Sequence, residues 1–190
     1  MPRRTTVGVS GLTGLGLVAS LALAQPAVQG QAPGKAPAAA PAEAPSLLPP
    51  GEAGTPLHVE GRIVGLSGSG GAALYVYQTD ARGYYSGEVN DDNRNPRLKA
   101  RFTTRPDGSF AFRTIMPGPY PRSGPPAHIH LEVTPPGKPM EQFELVFEGD
   151  ARLTDGIRAD AKAGKFYTIC TPTAGAGGVK QCRDVTFRVH

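Results

Sequence analysis

The sequence predicts an all-β fold, an antiparallel β-sandwich with long loops and little helix. Short alternating or apolar runs recur between Gly- and Pro-rich turns, which is the pattern of short, half-buried strands. No amphipathic segment of three or more helical turns occurs in the sequence, and only residues 151–164 are compatible with a short helix. Six or more short strands at these spacings are typical of two packed sheets.

The strands are predicted from their composition and from the turns between them. Residues 72–78 are the clearest case, because Leu74 and Val76 alternate with two tyrosines that point to the opposite face. A Pro-Asp-Gly turn joins two further runs as a hairpin. The predicted strands are residues 58–64, 72–78, 98–103, 109–114, 128–134, 142–147 and 184–189.

Composition divides the chain into three parts. Residues 1–24 combine two arginines with an uncharged, mildly apolar run that ends in Ala-Leu-Ala, which predicts a cleavable export signal. Residues 25–56 are mainly Ala, Pro, Gly and Gln and carry eight of the twenty prolines, which predicts a disordered linker. Residues 57–190 are long enough for one compact domain, and we assign the β-sandwich to them.

The export signal predicts a periplasmic or extracellular protein that keeps no stable membrane span once the signal is cleaved. Arg3 and Arg4 match a twin-arginine signal loosely, so the Sec and twin-arginine routes both stay open. A retained membrane anchor is the alternative. Four glycines within the run make it weakly hydrophobic for a permanent span, which favours cleavage.

Charge and cysteine content narrow the possible functions. Without Arg3 and Arg4, 18 basic side chains stand against 16 acidic ones, and the basic residues are scattered. Nucleic-acid binding is therefore not supported. Cys170 and Cys182 are the only cysteines. In an oxidising compartment they are predicted to pair, with two free thiols as the alternative, and no further Cys pair or nearby His completes a zinc site.

Two histidines and several tyrosines carry the chemistry. His128 and His130 are two residues apart on a predicted strand, so both imidazoles face one side and can meet one ion. Burial of two imidazoles is costly unless their nitrogens are used, although a hydrogen-bonded pair in the core is the alternative. Tyr120 lies between two prolines that fix its backbone. Tyr84 and Tyr85 follow a strand in a polar turn, and each tyrosine alone is compatible with a structural role.

Together these stretches resemble the intradiol ring-cleavage dioxygenases, the family of catechol and protocatechuate dioxygenases. The resemblance covers roughly residues 59–153 and implies a prealbumin- or immunoglobulin-like β-sandwich with one mononuclear non-haem Fe(III) as cofactor. Matching stretches, in the order of the family, are residues 77–85, 107–121, 126–130 and 147–150.

The resemblance implies that Tyr85, Tyr120, His128 and His130 are the metal ligands. Tyr85 is preferred to Tyr84 because the family places its tyrosine two residues after this glycine. Fe(III) is a hard ion that favours anionic oxygen donors, and it must drive phenols with an ordinary pKa of about 10 to their deprotonated form.

The implied reaction is cleavage of a catechol-type aromatic by O2 to a muconate-type diacid, with Tyr120 also catalytic as the acceptor of a substrate proton. The family usually has an arginine three residues before the first histidine, where this chain has Pro125. Arg122 is predicted to supply that charge, with Arg113 as the alternative. A second departure is Glu144, at a position where the family commonly has Gln.

Two other functions compete with this one. A copper–zinc superoxide dismutase shares a sandwich fold and an H-x-H strand, but its site needs about six histidines and this chain has four. An exported prealbumin-like binding module without catalysis is the non-enzymatic alternative. Such a module has no need for all four implied ligands, so the complete ligand set favours the enzyme.

Overall fold

The computed structural model describes residue 8 and residues 44–68, 70–86 and 92–190. The predicted export signal, apart from residue 8, and the predicted linker up to residue 43 lie outside the described residues. From residue 44 onward, the described residues belong to one compact unit. None of the helices in this part of the chain is long and apolar enough to cross a membrane.

All seven predicted strands are present, with ends shifted by a few residues, and the short predicted helix is confirmed. Two strands of four and two residues were missed, because runs this short carry no periodicity. The elements are β1 Pro56–Val64, β2 Ala73–Gln78, β3 Leu98–Thr103, β4 Ser109–Ile115, β5 His128–Thr134, β6 Glu141–Phe147, α1 Asp155–Lys162, β7 Tyr167–Cys170, β8 Thr173–Ala174 and β9 Lys180–Arg188.

The strands form two sheets, which confirms the all-β sandwich. One sheet has the order β4-β1-β9-β8 and the other has the order β3-β2-β5-β6-β7. Pairing is antiparallel except at β1–β9 and β6–β7, which are parallel. Parallel neighbours need a long crossover, such as the α1 connection before β7. Both sheets of the sandwich are therefore mixed, with antiparallel pairing everywhere except at these two pairs.

The core lies between the inner faces of the two sheets, and a disulfide crosses it. Cys170 on β7 is bonded to Cys182 on β9, so the bond joins the two sheets, and both residues are buried. The predicted pairing of the cysteines is thus present. The five-stranded sheet contributes Leu74, Val76, Ile129, Leu131, Val133 and Leu145, and the four-stranded sheet contributes Val59, Ile63, Phe110, Phe112 and Phe187.

Gln78 forms a polar link between the sheets. Its side chain is fully buried; Nε2 donates to the Ile115 carbonyl oxygen at 2.9 Å, and Oε1 accepts from the Thr114 hydroxyl at 2.8 Å. Such a group is tolerated in a core only when its hydrogen bonds are made. The link fixes the end of β2 against the end of β4. The loop that follows β2 carries Tyr85, and the loop that follows β4 carries Tyr120.

The end of the predicted linker belongs to the domain. Leu47 is only 2% exposed and packs in the core, its N–H donates to the Arg113 carbonyl oxygen at 2.9 Å, and its carbonyl oxygen accepts from the Lys99 N–H at 3.2 Å. Glu52 pairs with Arg97 nearby. The described part of the linker, from residue 44, therefore lies against both sheets, because one apolar anchor outweighs a composition that predicts disorder.

Candidate metal centre

The site lies on the outer face of the five-stranded sheet. Tyr77, His130 and Glu144 are direct cross-strand neighbours on β2, β5 and β6. Because Ile129 on β5 points into the core, His130 and the preceding His128 point to the opposite face. The strand periodicity that predicted a shared face for the two histidines is confirmed.

The turn after β2 places Tyr85. The Asp80 carboxylate is buried and accepts the backbone N–H groups of Arg82 at 2.9 Å and Tyr84 at 3.1 Å, together with the Arg82 guanidinium at 2.9 Å. Burial alone would raise the pKa of Asp80, but the hydrogen bonds from Tyr84 and Arg82 outweigh burial and hold this pKa below its usual value. The carboxylate thus closes the turn in its charged form.

Two glycines allow the Tyr85 turn to approach the Tyr120 loop closely. Gly118 donates its N–H to the Asp80 carbonyl oxygen at 2.8 Å and accepts the Thr79 hydroxyl at 2.8 Å. A Cβ at Gly118 would overlap the backbone of the turn, and a Cβ at Gly83, where φ is +92°, would overlap the Pro119 carbonyl oxygen. These positions require glycine, and the contact between the loops brings the two phenols together.

A third loop, the one after β6, holds the Tyr120 loop and the start of β5. The Asp150 carboxylate accepts the N–H of Ala127 and the N–H of Arg152, each at 2.8 Å. The Arg152 guanidinium donates to the Tyr120 carbonyl oxygen at 3.0 Å. The loop after β6 therefore holds the backbone beside His128 through Asp150 and the backbone of Tyr120 through Arg152.

Four side-chain atoms converge into one ring, which we call the donor ring. Tyr85 Oη lies 2.6 Å from Tyr120 Oη and 2.7 Å from His130 Nε2, His128 Nε2 lies 3.2 Å from Tyr120 Oη, and the two Nε2 atoms are 3.0 Å apart. Tyr85 is 4% exposed and His128 is 5% exposed, while Tyr120 and His130 are half-buried. All four predicted metal ligands are thus brought together.

The donor ring has more contacts than protons to fill them. His128 Nδ1 lies 2.7 Å from the Pro126 carbonyl oxygen, so a neutral His128 donates there and leaves Nε2 with a lone pair. Four contacts then share at most three protons, two from the phenols and one from His130. At least one contact therefore joins two lone pairs, an arrangement that a bound cation would stabilise.

The electrostatics favour a metal ion over a proton. Burial, and then the neighbouring His128, lowers the pKa of His130 to about 3, so this imidazole is neutral and able to coordinate. Burial, and then the contact with Tyr120, raises the pKa of Tyr85 above its usual range. The phenol therefore ionises only if a strong cation binds it. Two phenol oxygens and two imidazole nitrogens are a donor set that suits Fe(III).

The remaining predicted residues lie in different places. Tyr84 is outside the donor ring, and the Arg82 guanidinium lies over its ring at 5.6 Å. Arg122 is exposed on the loop that carries Tyr120, and its catalytic role stays a prediction. The alternative Arg113 is wrong, because it lies on β4 in the other sheet and its Nε donates to the Ala44 carbonyl oxygen at 3.2 Å.

Sequence reasoning missed two residues that contact the ligands and only noted a third. The Tyr77 ring stacks on the His130 imidazole with centroids 4.5 Å apart, Arg152 holds the Tyr120 backbone, and Glu144 approaches His130 from the other side. Alternation on β2 placed Tyr77 on the outer face, but only the strand register puts it against His130. No local pattern marks Arg152.

Comparisons with known proteins identify the family of this chain. A family model described as Dioxygenase matches residues 33–190. A hydroxyquinol 1,2-dioxygenase of Nocardioides simplex is 32% identical over 121 residues, which cover 54% of this chain and 41% of that protein. A chlorocatechol 1,2-dioxygenase of Cupriavidus pinatubonensis is 30% identical over 143 residues, which cover 66% of this chain and 54% of that protein. The chain thus spans about half the length of these relatives.

Solved structures show the same fold. The dioxygenase domain of a dioxygenase carbohydrate-binding protein fusion from Streptomyces sp. SirexAA-E matches with a TM-score of 0.56 and 29% identity, covering 84% of this chain and 97% of that one. A 3-chlorocatechol 1,2-dioxygenase from Rhodococcus opacus 1CP matches with a TM-score of 0.55 and 22% identity, covering 81% and 70%. With the family match over most of its length, the chain belongs to the intradiol ring-cleavage dioxygenase family.

Proposed function

We propose that this protein binds one non-haem Fe(III) through Tyr85, Tyr120, His128 and His130 and cleaves a catechol-type aromatic with O2 to a muconate-type diacid. The observation that carries the proposal is the donor ring. Its four atoms are of the types that ligate metals, and they make four mutual contacts with at most three protons to share among them. When bound, Fe(III) would hold both oxygens of a catechol and make its ring reactive toward O2.

The ligands differ in how firmly the fold holds them, and this suggests different roles. Tyr85 is buried in a turn closed by Asp80, and His128 is oriented by its Nδ1–H bond to the Pro126 carbonyl oxygen. Tyr120 is half-buried on a loop between sheets. We assign to Tyr120 Oη the acceptance of a hydroxyl proton from the incoming substrate, because this phenol is the more accessible of the two.

The proposal also needs a positive charge to stabilise the ionised substrate, and it assigns this charge to the loop that carries Tyr120. Pro125 occupies the position of the family's arginine, and Arg122 is the exposed guanidinium on the same loop. Arg152 is already engaged with the Tyr120 carbonyl oxygen and so serves to hold the loop. Arg122 is therefore proposed to approach the substrate once it is bound.

Export belongs to the same proposal. The N-terminal pattern predicts a signal, and the bond between Cys170 and Cys182 is of the kind that persists in an oxidising compartment. We propose that the protein acts in the periplasm or outside the cell, where it meets catechol-type compounds.

The test is the visible spectrum of the purified protein after loading with ferric ion. Phenolate bound to Fe(III) gives an intense charge-transfer colour, so the wild type should be coloured. Tyr85→Phe and Tyr120→Phe should each lose colour, and each should lose at least the 10–100-fold in metal affinity that loss of an outer-shell partner costs. Tyr84→Phe is the matched control, because Tyr84 is adjacent in sequence but outside the donor ring.

Addition of a catechol under nitrogen and then under oxygen separates binding from turnover. A new absorption band that decays with O2 uptake and release of a diacid supports the dioxygenase. Colour that persists in oxygen with every catechol tried would favour the non-catalytic binding module. A wild-type protein that stays colourless with ferric ion would contradict the proposed site.

A further inference from the structure

A buried carboxyl group lies beside the donor ring, outside the four proposed ligands. Glu144 is 9% exposed and lies directly opposite His130 in the sheet. Its Oε1 is 3.5 Å from His130 Nδ1, the nitrogen that faces away from the donor ring. Its Oε2 is buried and has no hydrogen-bond partner within the described part of the chain. A carboxyl group buried in this way is costly unless it serves a neighbour.

We infer that Glu144 is a positioning residue for the metal centre: its carboxylate takes the Nδ1–H of His130, aims Nε2 of that imidazole into the donor ring, and adds a third negative charge beside the ion. The inference rests on the proposed function and concerns how this chain tunes the same site. Glu144 approaches His130, one of the proposed ligands, so we assign it an action through that ligand.

The geometry of the other histidine supports this role. His128 is oriented by a bond from Nδ1 to the Pro126 carbonyl oxygen, and a ligating histidine ordinarily donates its second N–H to a carbonyl or carboxylate. Among the described residues, Glu144 offers that acceptor to His130. The present 3.5 Å exceeds the roughly 2.7–2.9 Å of a charge-assisted hydrogen bond, so the pair is expected to close when Nε2 binds a cation.

Charge gives Glu144 a second effect on the ion. Two phenolates and one carboxylate supply three negative charges, which equal the charge of Fe(III). An amide in place of the carboxylate would leave one positive charge uncompensated beside the buried side chains of Tyr85 and His128, where the effective dielectric is low and charges interact strongly. Glu144 should therefore stabilise Fe(III) relative to Fe(II) and raise the energy of electron transfer from phenolate to iron.

The experiment compares Glu144→Gln with Glu132→Gln in the ferric protein. Glu132 lies on the same face of β5, two residues after His130, so this control removes the same charge from the same surface without touching the contact to His130. Glu144→Gln should lower ferric affinity about 10–100-fold, measured by competition with a chelator. It should also move the charge-transfer band to longer wavelength and raise the Fe(III)/Fe(II) reduction potential.

Glu132→Gln should keep the wild-type band and affinity. Glu144→Asp, which keeps the charge but withdraws it from His130, should give a band between those of the wild type and Glu144→Gln. Gln has nearly the shape of Glu, and circular dichroism of each variant confirms that it is folded. If Glu144→Gln does not fold, the position of the charge-transfer band is compared between the wild type and Glu144→Asp instead.

Three results would overturn the inference, and they differ from one another. A band and potential in Glu144→Gln equal to those of Glu132→Gln would remove any role for Glu144. Total loss of ferric ion from folded Glu144→Gln would make Glu144 a ligand instead of a positioning residue. A colourless wild type would overturn the proposed function and this inference together, whereas the first two results leave the proposed function intact.

Discussion

At the scale of single residues, the candidate site depends on groups outside the donor ring. Asp80 closes the Tyr85 turn, Asp150 fixes the start of β5, and glycine at positions 83 and 118 lets two loops touch. Each acts through backbone contacts. The phenols and imidazoles are therefore placed by the chain around them, and a substitution at one of these supporting residues should affect metal binding as well as stability.

Gly83→Ala should destabilise the protein and weaken ferric binding. The left-handed backbone costs a side chain about 1–2 kcal/mol, and overlap with the Pro119 carbonyl oxygen brings the expected cost to about 2–3 kcal/mol or more. Gly137→Ala is the matched control, because Gly137 also has positive φ but has open space around its Cβ position. Urea unfolding of both variants measures the difference, and equal losses of stability would show that the loop contact is unimportant.

Asp80→Asn should make the free energy of unfolding less dependent on pH in the acid range. The folded pKa of Asp80 is lowered, so the wild type gains stability from this group above its unfolded pKa of about 3.9 and loses it as pH falls through the folded value. The gap between wild type and Asp80→Asn, about 1–3 kcal/mol at pH 7, should narrow below about pH 4. Asp160→Asn on the exposed helix α1 is the control. A difference in unfolding free energy between wild type and Asp80→Asn that is the same at pH 3 as at pH 7 would contradict the stabilising role of the charged Asp80.

At the scale of elements, register decides what the site contains. The period of a strand is enough to place His128 and His130 on one face, and this prediction is confirmed. Their meeting with Tyr85 and Tyr120 was implied only by the family resemblance, because no spacing rule brings together residues from separate loops. The contact of Glu144 with His130 depends on which residue of β6 lies opposite, and a one-residue shift would turn that carboxylate into the core.

The error over Arg113 has the same origin. On the sequence, Arg113 is only seven residues from Tyr120. The strand that carries it ends before the Tyr120 loop, however, and pairs with β1 in the other sheet, where its carbonyl oxygen and guanidinium hold residues 44–47. Proximity along the chain does not predict proximity across two sheets.

At the scale of the whole molecule, the fold is a sandwich whose core lies between the two sheets, and the donor ring lies on the outer face of the five-stranded sheet. Seven of the nine strands in the described part of the chain, and the helix, could be predicted from local patterns. The parallel pairing of β9 with β1 could not, because it joins the two ends of the domain and leaves no local signal. For the same reason the predicted linker extends too far toward the C-terminus. Leu47 falls within it but is buried against partners that are distant in the sequence.

Removal of the disulfide should destabilise the whole domain. The bond joins β7 to β9 across the core with a sequence separation of 12, which predicts a stabilisation of about 3 kcal/mol through restriction of the unfolded chain. Paired replacement of Cys170 and Cys182 by Ser should lower the free energy of unfolding by at least that amount, because buried hydroxyl groups add a further cost. Denaturant unfolding measures it, and an unchanged midpoint would contradict this account.

Under the proposed function, the donor ring has a consequence for when the protein acquires its ion. Its members come from the turn after β2, the loop after β4 and the strand β5, and residues 85 and 130 are 45 positions apart along the chain. An unfolded chain therefore holds no such cluster, and the ring exists only after the strands pair and the loops dock. Metal capture then follows folding and stabilises the folded state by mass action. The proposed iron would then come from the pool present where the chain completes its fold.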